Sequence, residues 1–417
     1  MARTGWPRDF RLLWASAAVS HLGSRISLLA FPTIAVLVLH AGPFAVGALT
    51  ALGTLPLLLF SMLSGVIADR GDRRRIAVAA DLACMVATGS IPLAAAFGHL
   101  TLAHLFVATL VNGSAGNLGD ITFYSIVPFV VPRDQFDRAN ARLEGTNIVT
   151  AITGPGVGGA LIQVFGAARA VSADAVSFLL SALLLVRLRE RTARAATTTT
   201  TTFRRDLVDG ARFVFGDRRL RRLAIASAVA NLGAGIGIAV LLIHLYRNVG
   251  LSPGGVGAIT VGTGLFGALI AFNAPVICRR TGYARALALS AAANGIGWLL
   301  LPLATHAGTV GGIATVVVAY LLMMVESGLW NVSMITLRRS FTPDEMFGRM
   351  VASTRTVAQG TTPVGALIGG VLGATLGVVP TLIAGGVLMG LCGSLALVDP
   401  ELRSVGRPGE AQAAAQA

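Results

Sequence analysis

Apolar windows of about twenty residues recur along nearly all of this 417-residue chain, the length a helix needs to cross a hydrocarbon core roughly 30 Å thick. Twelve are read, at 11–39, 44–69, 75–97, 101–130, 144–166, 169–187, 221–247, 253–278, 284–305, 309–337, 351–375 and 379–398. Only 12% of the residues are charged, against about 25% in soluble domains, so a soluble fold is excluded. Fifty glycines without a three-residue period exclude collagen and suit membrane helices, where small residues let backbones approach. Met1–Arg11 is short and basic, and the apolar run after it is too long for the core of a cleavable signal peptide.

The net charge of +14 invites a nucleic-acid reading, but its placement favours a lipid bilayer as partner and no nucleic acid. All 33 basic residues are arginine, and all but Arg25, Arg169 and Arg247 fall at one side when the windows are threaded through a membrane. The positive-inside rule makes that side, with both termini, cytoplasmic. Lysine is absent while Ala, Gly and Arg abound, a composition that suits a GC-rich bacterial genome and therefore a multi-pass protein of the bacterial cytoplasmic (inner) membrane. Cys84, Cys278 and Cys392 lie inside apolar windows, where packing is their expected role; no metal site and no cofactor is read.

The connection Arg187 to Arg222 carries 11 arginines and the tract Thr197–Thr202 between two blocks of six windows. It divides the chain into an N-terminal six-helix bundle (1–189), a cytoplasmic linker (190–219), a C-terminal six-helix bundle (220–399) and a disordered cytoplasmic tail (400–417). Within the linker, Phe203, Leu207, Ala211, Val214 and Phe215 recur at helical spacing, which predicts an amphipathic helix lying at the membrane surface. The halves also repeat each other. At an offset of 210, Pro43, Val46, Gly47, Ala48 and Thr50 match Pro253, Val256, Gly257, Ala258 and Thr260; at 211, Gly154, Gly158 and Gly159 match Gly365, Gly369 and Gly370. A parallel repeat of six helices is an architecture of secondary transporters, whose substrate site lies near the midplane at the repeat interface.

Gly65, Asp69, Arg70, Gly71 and Arg74, between the second and third windows, resemble the signature of the major facilitator superfamily at that place. In that family the contact of Asp69 with a helix N-terminus is thought to latch one conformation. The second copy, Cys278 to Gly282, has arginine where Asp69 stands, so any latch is asymmetric. Gly154, Pro155, Gly158 and Gly159 are similar to the helix motif of drug and proton antiporters in this superfamily, although Thr146 and Thr150 replace its upstream glycines. Together with the Asp174 to Phe178 segment, these features resemble the drug, siderophore and macrolide exporter branch. The resemblance implies an all-α membrane protein of the major facilitator fold, with twelve transmembrane helices, that exports by alternating access. The arginine that many proton antiporters carry in the fourth window is missing, Val111, Asn112 and Gly113 standing there.

Ionisable groups inside a span are costly and therefore functional candidates. Glu326, Asp120 and His21 are the candidates for proton coupling; Arg25, Asn117, Tyr124, Asn231, Trp330 and Asn331 are the substrate-cavity candidates. By depth, Arg25 and Asp120 are placed to pair, either as part of a polar cavity or as a structural ion pair. For Asp81 and Asp174 local pairing is expected, the latter with Arg169. No Gly-x-x-x-x-Gly-Lys loop exists and no clustered aspartates or His-Glu-x-x-His element is present, so the protein is not read as an enzyme. The function expected is proton-coupled efflux of a small, largely apolar compound such as a drug, antibiotic, siderophore or secondary metabolite, by a monomer. An importer of a small metabolite and a non-transporting membrane sensor are the alternatives.

Overall fold

A computed structural model describes residues 6–189 and 203–405, without the side chains of 61–66, 68–70 and 203–207. Among the described residues every regular element is a helix. Six long helices, α1 (Arg8–Thr33), α2 (Pro43–Arg70), α3 (Arg73–Ala96), α4 (Leu102–Val130), α5 (Phe136–Phe165) and α6 (Ala167–Val186), precede α7 (Phe203–Gly216). Then come α8 (Arg218–Ile243), α9 (Pro253–Thr281), α10 (Tyr283–Leu300), α11 (Gly308–Arg339), α12 (Asp344–Thr375) and α13 (Val378–Cys392), with short α14 (Ser394–Leu397) and α15 (Pro400–Ser404). The repeat extends to a detail invisible in the sequence. Both α1 and α8 run 26 residues and end in a five-residue π turn, Ile34–Val38 and His244–Asn248.

Eleven of these helices are long and apolar enough to cross a membrane. The helix α4 is not among them although it spans 29 residues. Asn112, Ser114, Asn117 and Asp120 fall in its middle and lower its hydropathy. Two helices begin well before their apolar windows, α5 at Phe136 and α12 at Asp344. Hydropathy marks where a helix prefers lipid, whereas the backbone keeps its hydrogen bonds through the charged turns that precede the lipid.

The chain divides into two compact units. The first comprises Met1–Ala41, Leu52–Thr199 and Ser252–Val261. In it α1 packs on α5 and α6, and α3 on α4 and α6. Phe10, Leu13, Phe123, Val127, Val130, Leu143 and Leu185 form its buried apolar core, with Trp6 against it. Glycines in α5 set the helix spacing on two faces. A Cβ at Gly154 would collide with the side chain of Arg25 and one at Gly158 would come within 3.2 Å of the Ile26 Cα. On the other face, a Cβ at Gly159 would lie 2.6 Å from the Pro253 carbonyl and 3.0 Å from the Gly257 Cα.

The second unit comprises Gly42–Ala51, Thr200–Leu251 and Gly262–Ala417. Its α8 packs on α12 and α13, and α10 on α11 and α13. The glycine pattern recurs in α12: Gly365 and Gly369 meet the α8 backbone at Leu232 and Ile236, while a Cβ at Gly370 would lie 3.1 Å from the Phe44 Cα. Asp217 caps α8 by accepting from the Arg219 and Leu220 N–H groups. The Arg219 guanidinium beside it, then those backbone donors, hold its carboxyl below the usual carboxylate range.

Two expectations change here. The linker helix α7, expected at a membrane surface, has a protein partner as well: it packs along α12, where Gly210 admits the Arg349 carbonyl and Ser353, and Val214 enters a core with Leu220, Ala224 and Met350. Of the stripe, Val214 is buried, Ala211 is half-buried and Phe215 stays exposed; Phe203 and Leu207 lie outside the described side chains. Pro400–Ser404, expected in a disordered tail, is helical, with Leu402 fully buried. Arg222 to Asp399 at 2.6 Å and Arg219 to Glu401 at 2.6 Å fasten that segment to α8.

Candidate functional site

The polar middle of α4 faces the polar turns of α1 and α5 within the first unit. Arg25 in α1 donates from Nη2 to Asn147 Oδ1 of α5 at 3.1 Å. Asp120 makes no ion pair within 4 Å and no hydrogen bond among the described residues, yet His21 and Arg25 both lie within electrostatic reach of it. The expected Arg25–Asp120 pair is therefore not closed. With Gly154 pressed against its stem, Arg25 is turned along α5 to Asn147. His21 also senses Glu144 on α5, as does Tyr124, which is exposed and stands edge-on to Phe123. Asn117 is half-buried with its Nδ2 lacking a partner.

Two residues of this cluster, Glu144 and Asn147, were not anticipated. Glu144 sat at the edge of an apolar window; α5 begins eight residues earlier, so Glu144 lies more than two turns into the helix. Its spacing of three from Asn147 is the signal that could have drawn both out.

The second unit holds a sparser set. Glu326 in α11 is half-buried and has no hydrogen bond or ion pair among the described residues; the buried Cys392 thiol lies within reach of its charge. Asn231 in α8 is fully engaged, donating to the Ser227 carbonyl at 2.8 Å and accepting from Thr362 at 3.2 Å. Trp330 packs against a core of Leu223, Leu287, Met334 and Leu337, and exposed Asn331 donates to Ser327 of its own helix. One further charge was missed: Arg338 donates to Ser227 Oγ at 2.8 Å across α8 and α11, and its buried Nε has no partner. Its position next to Arg339 at the end of α11 hid it among the surface arginines.

In the loop signature, the side chains of Asp69 and Arg70 and the surroundings of Gly65 lie outside the described residues. Gly71 leaves room for Ile76, and Arg74 donates to the Leu188 carbonyl at 2.6 Å, tying the start of α3 to the end of α6. A family model described as transmembrane secretion effector, within the major facilitator superfamily, matches residues 7–413. The chain belongs to that family.

This major facilitator protein is 27% identical over 413 residues to the multidrug efflux pump Tap of Mycolicibacterium fortuitum, covering 94% of this chain and 96% of the relative. An uncharacterised MFS-type transporter of Sinorhizobium fredii is 27% identical over 88% of each chain. Macrolide efflux protein A of Streptococcus pyogenes is 23% identical over 44% of this chain and 45% of its own. Among solved structures, a bacterial homologue of the iron transporter ferroportin in its inward-facing state superposes with a TM-score of 0.74 at 18% identity, covering 95% of this chain and 99% of the other. The nucleoside transporter NupG gives 0.69 at 13% identity over 95% and 99%. These two share the fold. The protein is thus a multi-pass membrane transporter of the major facilitator superfamily, carrying small-molecule substrates, and not an enzyme.

Proposed function

We propose that this transporter exports a small, largely apolar compound, of the drug, antibiotic, siderophore or secondary-metabolite kind, in exchange for protons. The observation that carries the reading is Asp120: a carboxylate in the middle of a membrane-length helix, bonded to nothing among the described residues, with His21 and Arg25 in electrostatic reach. A carboxylate held in that way can gain and lose a proton without breaking a bond, which coupling by alternating access demands. Glu326 offers the same property in the second half, and efflux relatives support the outward direction. Of the two, Glu326 is our choice for the coupling group, because among the described residues it has no cation beside it.

The arrangement proposed is twelve spans in two six-helix halves, 1–189 and 220–399, in a monomer in the bacterial cytoplasmic membrane with both termini inside. Support comes from the arginine distribution and from α4, which is membrane-length despite its polarity. Cysteine substituted at Gly42 is expected to react with an impermeant thiol reagent in intact cells and cysteine at Thr199 is not; the reverse pattern would reject the orientation. For transport, cells with the protein are expected to hold less ethidium than cells without it, and a protonophore should erase the difference. Unchanged ethidium, across a panel that also includes a fluorescent macrolide, would reject efflux.

A further inference from the structure

A second set of acidic groups lies inside the first unit, on the side of α1 that carries Gly23 and Ser27 rather than His21 and Arg25. Asp174 of α6 is fully buried and Asp81 of α3 is 9% exposed. Neither forms the local ion pair expected of it. Arg169 is five residues from Asp174, about 140° around the helix, and is exposed, while Asp174 turns toward α1 where Gly23 makes room: a Cβ there would stand 2.6 Å from Asp174 Oδ1. Hydroxyls surround the carboxylates instead. The Ser177 hydroxyl is shared between the Asp174 carbonyl at 2.8 Å and Asp174 Oδ1 at 3.2 Å, the buried Ser27 hydroxyl of α1 stands beside the same carboxyl, and Ser181 stands beside Asp81.

Asp174, Ser177 and Ser181 recur at i, i+3 and i+7 on α6, and Asp81, Cys84 and Thr88 at the same spacing on α3, the helix that packs against it. Cys84 is within electrostatic reach of Asp81, Asp174 and Asp120, and Asp81 is within reach of Asp120. The polar seam is incomplete. Asp81 Oδ2, Asp174 Oδ2, Ser27 Oγ and Asn112 Nδ2 are all buried without a hydrogen-bond partner. Among the described residues no arginine or histidine pairs with either carboxylate, and no group of three His, Cys, Asp or Glu could hold a metal ion. A buried anion needs a positive charge, and a hard metal would need more ligands than this. A proton on each carboxylate satisfies the charge requirement with the atoms present.

We propose that Asp81 and Asp174 form a proton-binding seam within the N-terminal half, from which protons reach Asp120, so that coupling draws on carboxylates beyond those placed in the transport site. The proton adds to an Oδ2 oxygen and leaves from it; no other bond changes. This deepens the proton-coupled reading above and rests on it, but its first test does not need transport.

Purified protein in lipid nanodiscs is titrated by infrared difference spectroscopy, which reads the carbonyl stretch of protonated carboxylic acids. Asp174→Asn keeps an oxygen to accept from Ser177 and should remove one such signal; Asp81→Asn should remove another. In proteoliposomes, each variant should lose ethidium accumulation driven by a pH gradient by about tenfold while exchange of ethidium for ethidium persists. Ser177→Ala, which leaves the carboxyl in place, should shift the pH midpoint of the Asp174 signal, and it keeps the test decisive if Asp174→Asn is not assembled. Infrared signals and pH profiles identical to wild type in all three variants would overturn the seam, leaving these residues as packing groups. Loss of the signals on adding sodium at fixed pH would overturn it in favour of an alkali-cation site. If wild type itself moves no ethidium in response to a pH gradient, the efflux reading fails, while the infrared arm still decides whether the seam binds protons.

Discussion

In α5, Gly154 and Gly158 press against α1; in α12, Gly365 and Gly369 press against α8. The adjacent faces match as well, Gly159 meeting Pro253 and Gly257 as Gly370 meets Pro43 and Phe44. Around these equivalent backbones the polar groups differ entirely. The first unit gathers His21, Arg25, Asp120, Glu144 and Asn147, whereas the second has Glu326, unpartnered among the described residues, and the half-buried Arg338. Close helix approach depends on backbone shape and small residues, so both copies of the repeat keep it. Charge inside a membrane is costly at each occurrence, and a two-copy scaffold retains it only where a task requires it.

The largest effects should come from breaking the shared glycines. Gly159→Leu and Gly370→Leu each drive a side chain into a neighbouring backbone, an overpacking of about 1–3 kcal/mol or more, and both should abolish ethidium efflux or membrane assembly. Immunoblots of the membrane fraction with efflux rates measure this; loss in one variant and wild-type behaviour in the other would break the equivalence of the halves.

Next comes the unequal chemistry. Glu326→Gln should abolish uphill, protonophore-sensitive accumulation in vesicles yet leave ethidium exchange intact, because exchange moves no net proton. Asp120→Asn should weaken both, since it alters a cluster of several charged groups. Retention of uphill transport by Glu326→Gln would leave coupling to the first half alone. A smaller effect is expected at the asymmetric loop: Asp69→Asn should slow efflux severalfold at normal abundance, by the latch reading. Wild-type rates in that variant would remove the loop from the comparison.

The smallest concerns helix starts. Asp72 caps α3 by accepting from the Arg75 N–H at 3.1 Å, while the corresponding Gly282 before α10 has a positive φ of 83° and no side-chain cap. Asp72→Ala should lower thermal stability by about 1 kcal/mol, read as a shift in the unfolding midpoint of the detergent-purified protein. An unchanged midpoint would show that the cap contributes nothing in this half either.

The windows, the repeat and the arginine asymmetry were legible because each depends on composition over many residues. Partner choice was not. Whether Asp174 meets Arg169 or Ser27 depends on rotation about the helix axis, and hydropathy carries no information on that. The ion pair expected between Arg25 and Asp120 failed on the same ground: depth along a helix was readable, the azimuth of the guanidinium was set by Gly154 and Asn147. Glu144 was passed over because an apolar window ends where the lipid does, and α5 does not.

The docking of α7 on α12 bears on how the polypeptide could be cut and rejoined. A break introduced after Arg189 leaves α7 with the half that houses its groove, whereas a break after Gly216 would strand an apolar stripe on the wrong fragment. Two genes divided at the first point should yield fragments that each carry their own apolar contacts, so co-expression ought to reconstitute a working transporter there and fail at the second. The same logic favours residues beyond Arg189 for an inserted fluorescent domain.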